Sequence, residues 1–251
     1  MLERKGGIVT VTLNRPEKKN AATQPMWVEL RRIFQQVASS TDDRVLVLTG
    51  AGGSFCSGVD LTATDSDAHQ LVKMRVVSET ILALHRLPKP TLAKVPGIAA
   101  GAGCNIALAC DLIIASEDAR FSQLFAQRGL SIDSGGSWLL PRMIGLHRAK
   151  ELAFFADIIS AKEAAEFGFV NRVVPAAELD STVDEWAQRL ASGPPLALSM
   201  TKLMLNNSMA VSMDQALEDE ARSQAVNAST ADTREAMRAF AEKRQPHFEG
   251  K

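Results

Sequence analysis

From its start to about residue 175 the chain alternates short aliphatic runs with stretches of helical period, and after Pro175 those runs stop. Such alternation marks an α/β core, here followed by a helical extension of some 75 residues. Ile8–Leu13 reads as a strand with Val9, Val11 and Leu13 on one face, ended by Asn14-Arg15-Pro16. Met26, Leu30, Ile33, Phe34 and Val37 have the spacing of one helix face, with Pro25 near its start. Val45–Leu48 is continuously aliphatic, the mark of a strand covered on both faces, and Gly50-Ala51-Gly52-Gly53 follows it. A second helix carries Met74, Val77, Ile81 and Leu84 and stops before Pro88 and Pro90. Leu92–Ala99, Leu112–Ala115 and Val170–Val174 are further strand candidates, with a small-residue helix, Gly101–Ala109, between the first two. Ser160 and Glu163 form a capping box for a short helix that Gly168 closes. Beyond Pro175, Leu179, Val183, Trp186 and Leu190 mark one helix, and Gly193-Pro194-Pro195 breaks it. Two or three more helices follow, one of them capped by Ser212 and Gln215.

Composition narrows the function classes. With 46 % apolar and 23 % charged residues, the chain is no disordered tail, collagen-like rod or coiled-coil rod. Lys and Arg total 28 against 29 Asp and Glu, so no broad positive field would recruit a nucleic-acid backbone or an acidic membrane. Cys56, Cys104 and Cys110 are too few and too scattered for a disulfide framework and match no zinc spacing. The single histidines (His69, His85, His147 and His247) add no metal pattern. Asn105 and Asp111 interrupt the best apolar stretch, and Ile8–Leu13 is too short for a signal peptide. The expectation is a soluble, cytoplasmic protein with no membrane or nucleic-acid partner.

Two glycine-rich segments carry the chemistry: Gly53-Ser54-Phe55-Cys56-Ser57-Gly58-Val59-Asp60-Leu61 and Pro96-Gly97-Ile98-Ala99-Ala100-Gly101-Ala102-Gly103-Cys104. Each leaves a strand, and the second runs directly into a helix. Small residues there let a ligand approach the backbone, and free N–H groups at a helix start favour developing negative charge. Plain tight turns are the alternative reading. A dinucleotide fingerprint fails because Ile106 stands where a third glycine is needed. Neither a Walker A sequence nor a Gly-x-Ser-x-Gly elbow occurs.

Together, in order, six fragments resemble the crotonase superfamily, the enoyl-CoA hydratase/isomerase family. They are Leu13-Asn14-Arg15-Pro16 with Asn20-Ala21; Phe55–Leu61; Gly97–Gly103; Ala109-Cys110-Asp111; Gly135-Gly136-Ser137 with Leu140-Pro141-Arg142; and Ala164–Val170. The resemblance implies a crotonase (ClpP-like) spiral of ββα units over residues 1–175 and a helical oligomerisation region over 176–251, assembled as a homotrimer or a dimer of trimers. It implies an acyl-CoA substrate whose thioester enolate is held by two backbone N–H groups, those of Val59 and Ala102. One such donor is worth about 3–4 kcal/mol at the transition state. It places coenzyme A along Ser57, Gly58, Asp60 and Leu61, with Lys18 or Lys19 near the phosphates and Phe240 and Lys243 supplied by a neighbouring subunit. No metal and no cofactor beyond the coenzyme A of the substrate is expected.

The chain departs from the family's hydratases at both catalytic glutamates, which fall at Asn105 and Phe125 in the acyl pocket. An amide takes no proton at neutral pH, and a phenyl ring holds no water. Asp133 stands where several non-hydrating relatives, double-bond and ring-rearranging isomerases among them, carry a catalytic aspartate. Its surroundings, Asp133–Arg142 and the ending Ala239–Arg244, look most like isomerases of phenylacetate breakdown. An aspartate at a turn or N-cap before a 136–144 helix is the plainer reading of the same residue. The sequence thus leads to an enoyl-CoA double-bond isomerase with Asp133 as acid/base. A hydratase with an unorthodox water site and a non-catalytic acyl-CoA binder remain the alternatives. Residues 62–74, which hold Asp65 and Asp67, give no diagnostic pattern for the acyl group.

Overall fold

The computed structural model describes residues 1–62 and 68–251; Asp65 and Asp67 lie outside the described residues. Strands β1 (Leu2–Lys5), β2 (Ile8–Leu13), β3 (Val45–Gly50), β4 (Thr91–Val95), β6 (Leu112–Ser116) and β9 (Arg172–Val174) form one sheet in the order β1-β2-β3-β4-β6-β9. It is parallel from β2 onward, with β1 folded back antiparallel on β2. A smaller sheet joins β5 (Ile98–Ala100) to β7 (Arg120–Ser122) in parallel and β7 to β8 (Ile159–Ser160) antiparallel.

The unbroken aliphatic run of β3 follows from its two covered faces. Leu46 and Leu48 enter the main core beneath α1 (Gln24–Ser39) and α2 (Gln70–His85). Val45 and Val47 meet Leu179, Val183 and Ala187 of α7 (Leu179–Ala191) on the other side. Each such burial contributes about 1.5–3 kcal/mol, and alternation with polar residues would forfeit half of it. The helical region that begins after Pro175 therefore opens with a helix built into the core.

Helix faces differ from expectation in detail. On α1 the buried indole of Trp27 joins Met26, which packs partly buried on the main core, and on α2 the buried Thr80 joins the partly buried Met74. Thr80 donates its hydroxyl to the Trp27 carbonyl (2.9 Å), pinning the two helices together. Trp138 is 39 % exposed, edge-on to His85 and covered by the Arg142 guanidinium.

Leu92–Ala99, read as one strand, is two. Pro96-Gly97 breaks it into β4 and β5, which belong to different sheets. That change of sheet carries the second glycine-rich segment onto the first, and α3 (Ala102–Leu108) starts there, wholly buried. Then come α4 (Gly136–Ile144), α5 (Leu146–Phe155) and α6 (Ala161–Phe167), the last with its complete Ser160–Glu163 capping box. Helices α8 (Pro195–Asn207), α9 (Met213–Ala228) and α10 (Ala231–Glu242) end the chain. On α8 and α9 no residue is buried, and Leu203, Leu205, Met213 and Leu217 are each more than half exposed. No helix among the described residues is long and apolar enough to cross a membrane.

Candidate active site

The two glycine-rich segments lie against each other. Cys56 bridges Ala99, and the Cys56 carbonyl accepts the Ala100 N–H at 2.9 Å. A methyl group on Gly97 would sit 2.1 Å from the Gly53 carbonyl oxygen, and one on Gly103 would sit 2.1 Å from that of Cys56. These glycines were read as room for a ligand. The structure corrects this: at both positions the space is taken by the other loop's backbone. Gly58 adopts φ +105°, with Ala100 O and Ala102 N 3.1 and 3.8 Å from where a Cβ would be, so Val59 and Ala102 stand on adjoining turns.

Val59 is fixed from both sides. Gly58 O accepts from Ala22 N (2.7 Å) and Asp60 N donates to Ala22 O (2.9 Å). Among the described residues, neither the Val59 nor the Ala102 backbone N–H has a hydrogen-bond partner. Ala102 is the first residue of α3, where no preceding turn supplies a carbonyl.

A polar clasp that sequence reasoning missed holds this loop. Asn20, fully buried at φ +58°, accepts from Arg15 N and donates to the Ala51 and Ser54 carbonyls, both at 2.8 Å. The Arg15 guanidinium reaches Ala21 O and the Asp60 carboxylate (2.9 Å). Asp60 also accepts from the Thr62 hydroxyl and N–H, and these contacts, with the Thr62 hydroxyl first and Arg15 next, pull its pKa down to about 2. The only sequence signal was the Asn14-Arg15-Pro16 and Asn20-Ala21 fragment itself, which names residues but no role. Ser57 donates its hydroxyl to Lys18 O and its N–H to Lys19 O, so the lysine turn backs the same loop.

Phe125 and Asn105 flank the turn. Phe125 is 7 % exposed, and its ring edge lies 3.8 Å from where a Gly101 Cβ would be. Asn105, on α3, is fully buried with both ends of its amide engaged: Gln123 Nε2 donates to Asn105 Oδ1, and Asn105 Nδ2 donates to the Asp133 carbonyl, each at 2.8 Å. Asn105 is thus committed to its neighbours rather than facing an acyl group. Gln123 went unnoticed in the sequence, where nothing distinguishes it.

Asp133 sits on the turn into α4. Its carbonyl also accepts the Gly136 N–H, and its carboxylate accepts the Ser134 hydroxyl at 2.7 Å. Partial burial holds the carboxyl above its ordinary pKa, the Ser134 hydroxyl opposing in part. Ser134 and Gly135 both take positive φ (+49° and +81°). A buried non-glycine residue in that region is strained backbone beside a candidate functional group.

A family model described as Enoyl-CoA hydratase/isomerase matches residues 3–251. The chain belongs to the enoyl-CoA hydratase/isomerase family. It is 38 % identical over 252 residues to the 1,2-epoxyphenylacetyl-CoA isomerase of Escherichia coli (strain K12), covering 98 % of this chain and 96 % of that protein. To the short-chain-enoyl-CoA hydratase of Clostridium acetobutylicum it is 36 % identical over 248 residues, covering 98 % and 95 %. A crystal structure of an enoyl-CoA hydratase from Bacillus anthracis superposes with a TM-score of 0.95 at 33 % identity, covering 100 % of this chain and 99 % of that one. The fold is therefore that of the crotonase superfamily, an α/β core with a helical C-terminus.

In this member of the enoyl-CoA hydratase/isomerase family, Phe125 lies beside the turn before Ala102, and Asn105 joins the helix that Ala102 begins to the main chain of Asp133. Leu61 is 66 % exposed at the end of the first loop. Phe240, 86 % exposed, and the exposed Lys243 stand at the end of α10, uncovered by their own chain. Asp111, matched to a family position, holds structure: it accepts from Thr91 N and Oγ1 and from Lys202 Nζ, all within 2.9 Å.

Proposed function

We propose that this family member is an enoyl-CoA double-bond isomerase. The observation that carries the reading is chemical: both positions of the family's glutamates are without a carboxylate, and the residue whose main-chain carbonyl Asn105 ties to the helix of Ala102, Asp133, carries one. Its carboxylate takes a proton from C2 of a 3-enoyl thioester, the electron pair moves onto the thioester oxygen, and the Val59 and Ala102 N–H groups stabilise that oxyanion. The same carboxyl returns the proton to C4, giving the 2-enoyl thioester. One acid/base group suffices and no water takes part. Phe125 keeps the pocket dry, and partial burial raises the Asp133 pKa toward a value useful to a base. The isomerase name of the Escherichia coli relative supports the reading.

Coenzyme A would follow Ser57, Gly58, Asp60 and Leu61, with Lys19 toward its phosphates and Phe240 and Lys243 coming from a second copy. The uncovered apolar faces of α8 and α9 support a homotrimer or a dimer of trimers, and the reaction needs no further cofactor. A hydratase whose water is held elsewhere is the second reading, favoured by the hydratase name of the Clostridium relative. Incubation with trans-3-hexenoyl-CoA and trans-2-hexenoyl-CoA separates the readings. Interconversion of the two supports isomerisation, formation of the 3-hydroxyacyl thioester supports hydration, and binding without turnover sinks both.

A further inference from the structure

We infer that Asn105, steered by Gln123, is a positioning residue that sets where the Asp133 carboxylate stands; the kinetic half of this inference rests on the reading of Asp133 as the acid/base. The Asp133 carbonyl is only an acceptor, so the Asn105 amide must turn its Nδ2 toward it, at 2.8 Å. That leaves Asn105 Oδ1 needing a donor, which Gln123 Nε2 supplies at 2.8 Å. Gln123 in turn is left with its Oε1 buried and, among the described residues, without a partner. An apolar residue at position 123 would only pass the unpaired acceptor from Gln123 Oε1 to Asn105 Oδ1, so what Gln123 adds is the fixed direction of the Asn105 amide.

The geometry downstream accounts for the chain. Asp133 O is held by two donors, Asn105 Nδ2 and Gly136 N, which fixes the peptide that follows the Asp133 Cα. Gly136 presses flat on the Asn105 side chain: a methyl there would lie 2.4 Å from Nδ2. The strained Ser134 and the left-handed Gly135 are bracketed between these contacts. Because Asn105 belongs to the same helix as Ala102, it ties the carboxylate-bearing turn to the oxyanion donor. This also explains why position 105 is an amide. A carboxylate there accepts from Gln123 but cannot donate to Asp133 O, so a glutamate or aspartate would release the turn.

The test uses Gln123→Met and Asn105→Ala, with Asp133→Asn as the control, on the full-length protein. Gln123→Met removes the donor at nearly constant volume and trades the unpaired Gln123 Oε1 for an unpaired Asn105 Oδ1. Its melting temperature should therefore stay near that of the wild type. Its kcat on trans-3-hexenoyl-CoA should fall about 10-fold or more with KM within about 2-fold, a split that a merely structural residue would not give. Asn105→Ala should lose about as much, and the double variant no more than either alone, since the two act as one unit. Hydrogen exchange at Gly136 N–H, read by mass spectrometry over residues 130–137, should accelerate in both variants whatever the substrate. Unchanged exchange overturns the inference, as do wild-type kcat in Gln123→Met or losses that multiply in the double variant. If Asp133→Asn keeps wild-type turnover while exchange still accelerates, the reading of Asp133 as acid/base falls instead, and the tether stands as a structural fact.

Discussion

Gly103→Ala should disable the enzyme without touching any reacting group. The new methyl would lie 2.1 Å from Cys56 O and 2.7 Å from Cys56 C, where ordinary contact begins near 3.4 Å. The two loops must therefore part by about 1.3 Å, and both obstructing atoms are backbone, so no side-chain rotation relieves the clash. Cys56 lies three residues before Val59, and Gly103 follows Ala102 directly, so parting them moves one oxyanion donor relative to the other. A misplacement of about 1 Å costs roughly 100-fold in rate, and loss of one donor about 100- to 1000-fold. We expect kcat to fall by about 100-fold or more. Overpacking should also cost about 1–3 kcal/mol, near 2–4 °C of melting temperature per kcal/mol for a chain of this size. Gly129→Ala is the control: φ is +67° there and nothing lies within 4 Å, so it should cost about 1–2 kcal/mol of backbone strain and leave kcat intact. Steady-state kinetics and thermal melts read both variants. Wild-type kcat and melting temperature in Gly103→Ala would refute the claim that close approach of these backbones builds the site.

The acid limb of the kcat profile should lie above the ordinary carboxyl range, because partial burial raises the Asp133 pKa and the base is lost as pH falls through it. Burial disfavours the carboxylate, so the native state loses stability as pH rises from the ordinary carboxyl pKa through the raised one, and Asp133→Asn should flatten that slope in melts across pH. Lys202→Met should cost about 2–3 kcal/mol, since Lys202 is 10 % exposed and its loss leaves the Asp111 carboxylate, 23 % exposed, without its cation; denaturant titration checks this. Lys243→Glu should weaken coenzyme A binding in calorimetry while leaving the mass in light scattering unchanged. A wild-type protein that scatters as a 27.1 kDa monomer at micromolar concentration would remove Lys243 from a shared site.

Legibility in the sequence followed the range of the interactions. Strands β2 and β3 were plain because their faces are set by period 2 and by double burial, and the Ser160–Glu163 cap because it spans three residues. β1, β7 and β8 carried too few apolar residues to stand out; only their partners in the sheets make them strands. Met26 was legible as core-facing from its period, whereas the burial of Trp27 beside it depends on α2, whose Thr80 bonds the Trp27 carbonyl. Of the candidate site, Val59, Ala102 and Asp133 were named through the family resemblance. The links joining them, Asn20 to Ala51 and Ser54 and Gln123 to Asn105 and so to Asp133, cross 18 to 34 residues and leave no local trace. The glycines illustrate the same limit. A sequence shows that position 103 lacks a side chain, whereas only the folded chain shows that the Cys56 carbonyl, not a ligand, needs the space.

The central claim is that the Asp133 carboxylate moves the proton. Asp133→Asn keeps the size of the side chain, its capacity to accept from the Ser134 hydroxyl, and the main-chain carbonyl bonded to Asn105 and Gly136. It removes only proton exchange. Measured on trans-3-hexenoyl-CoA, turnover should fall by about 100-fold or more, on the scale of general acid–base catalysis. Affinity for the thioester should persist, because Val59, Ala102 and the loop held by Arg15 and Asp60 are untouched. An Asp133→Asn enzyme with wild-type turnover would contradict the mechanism and reduce Asp133 to a turn residue before α4.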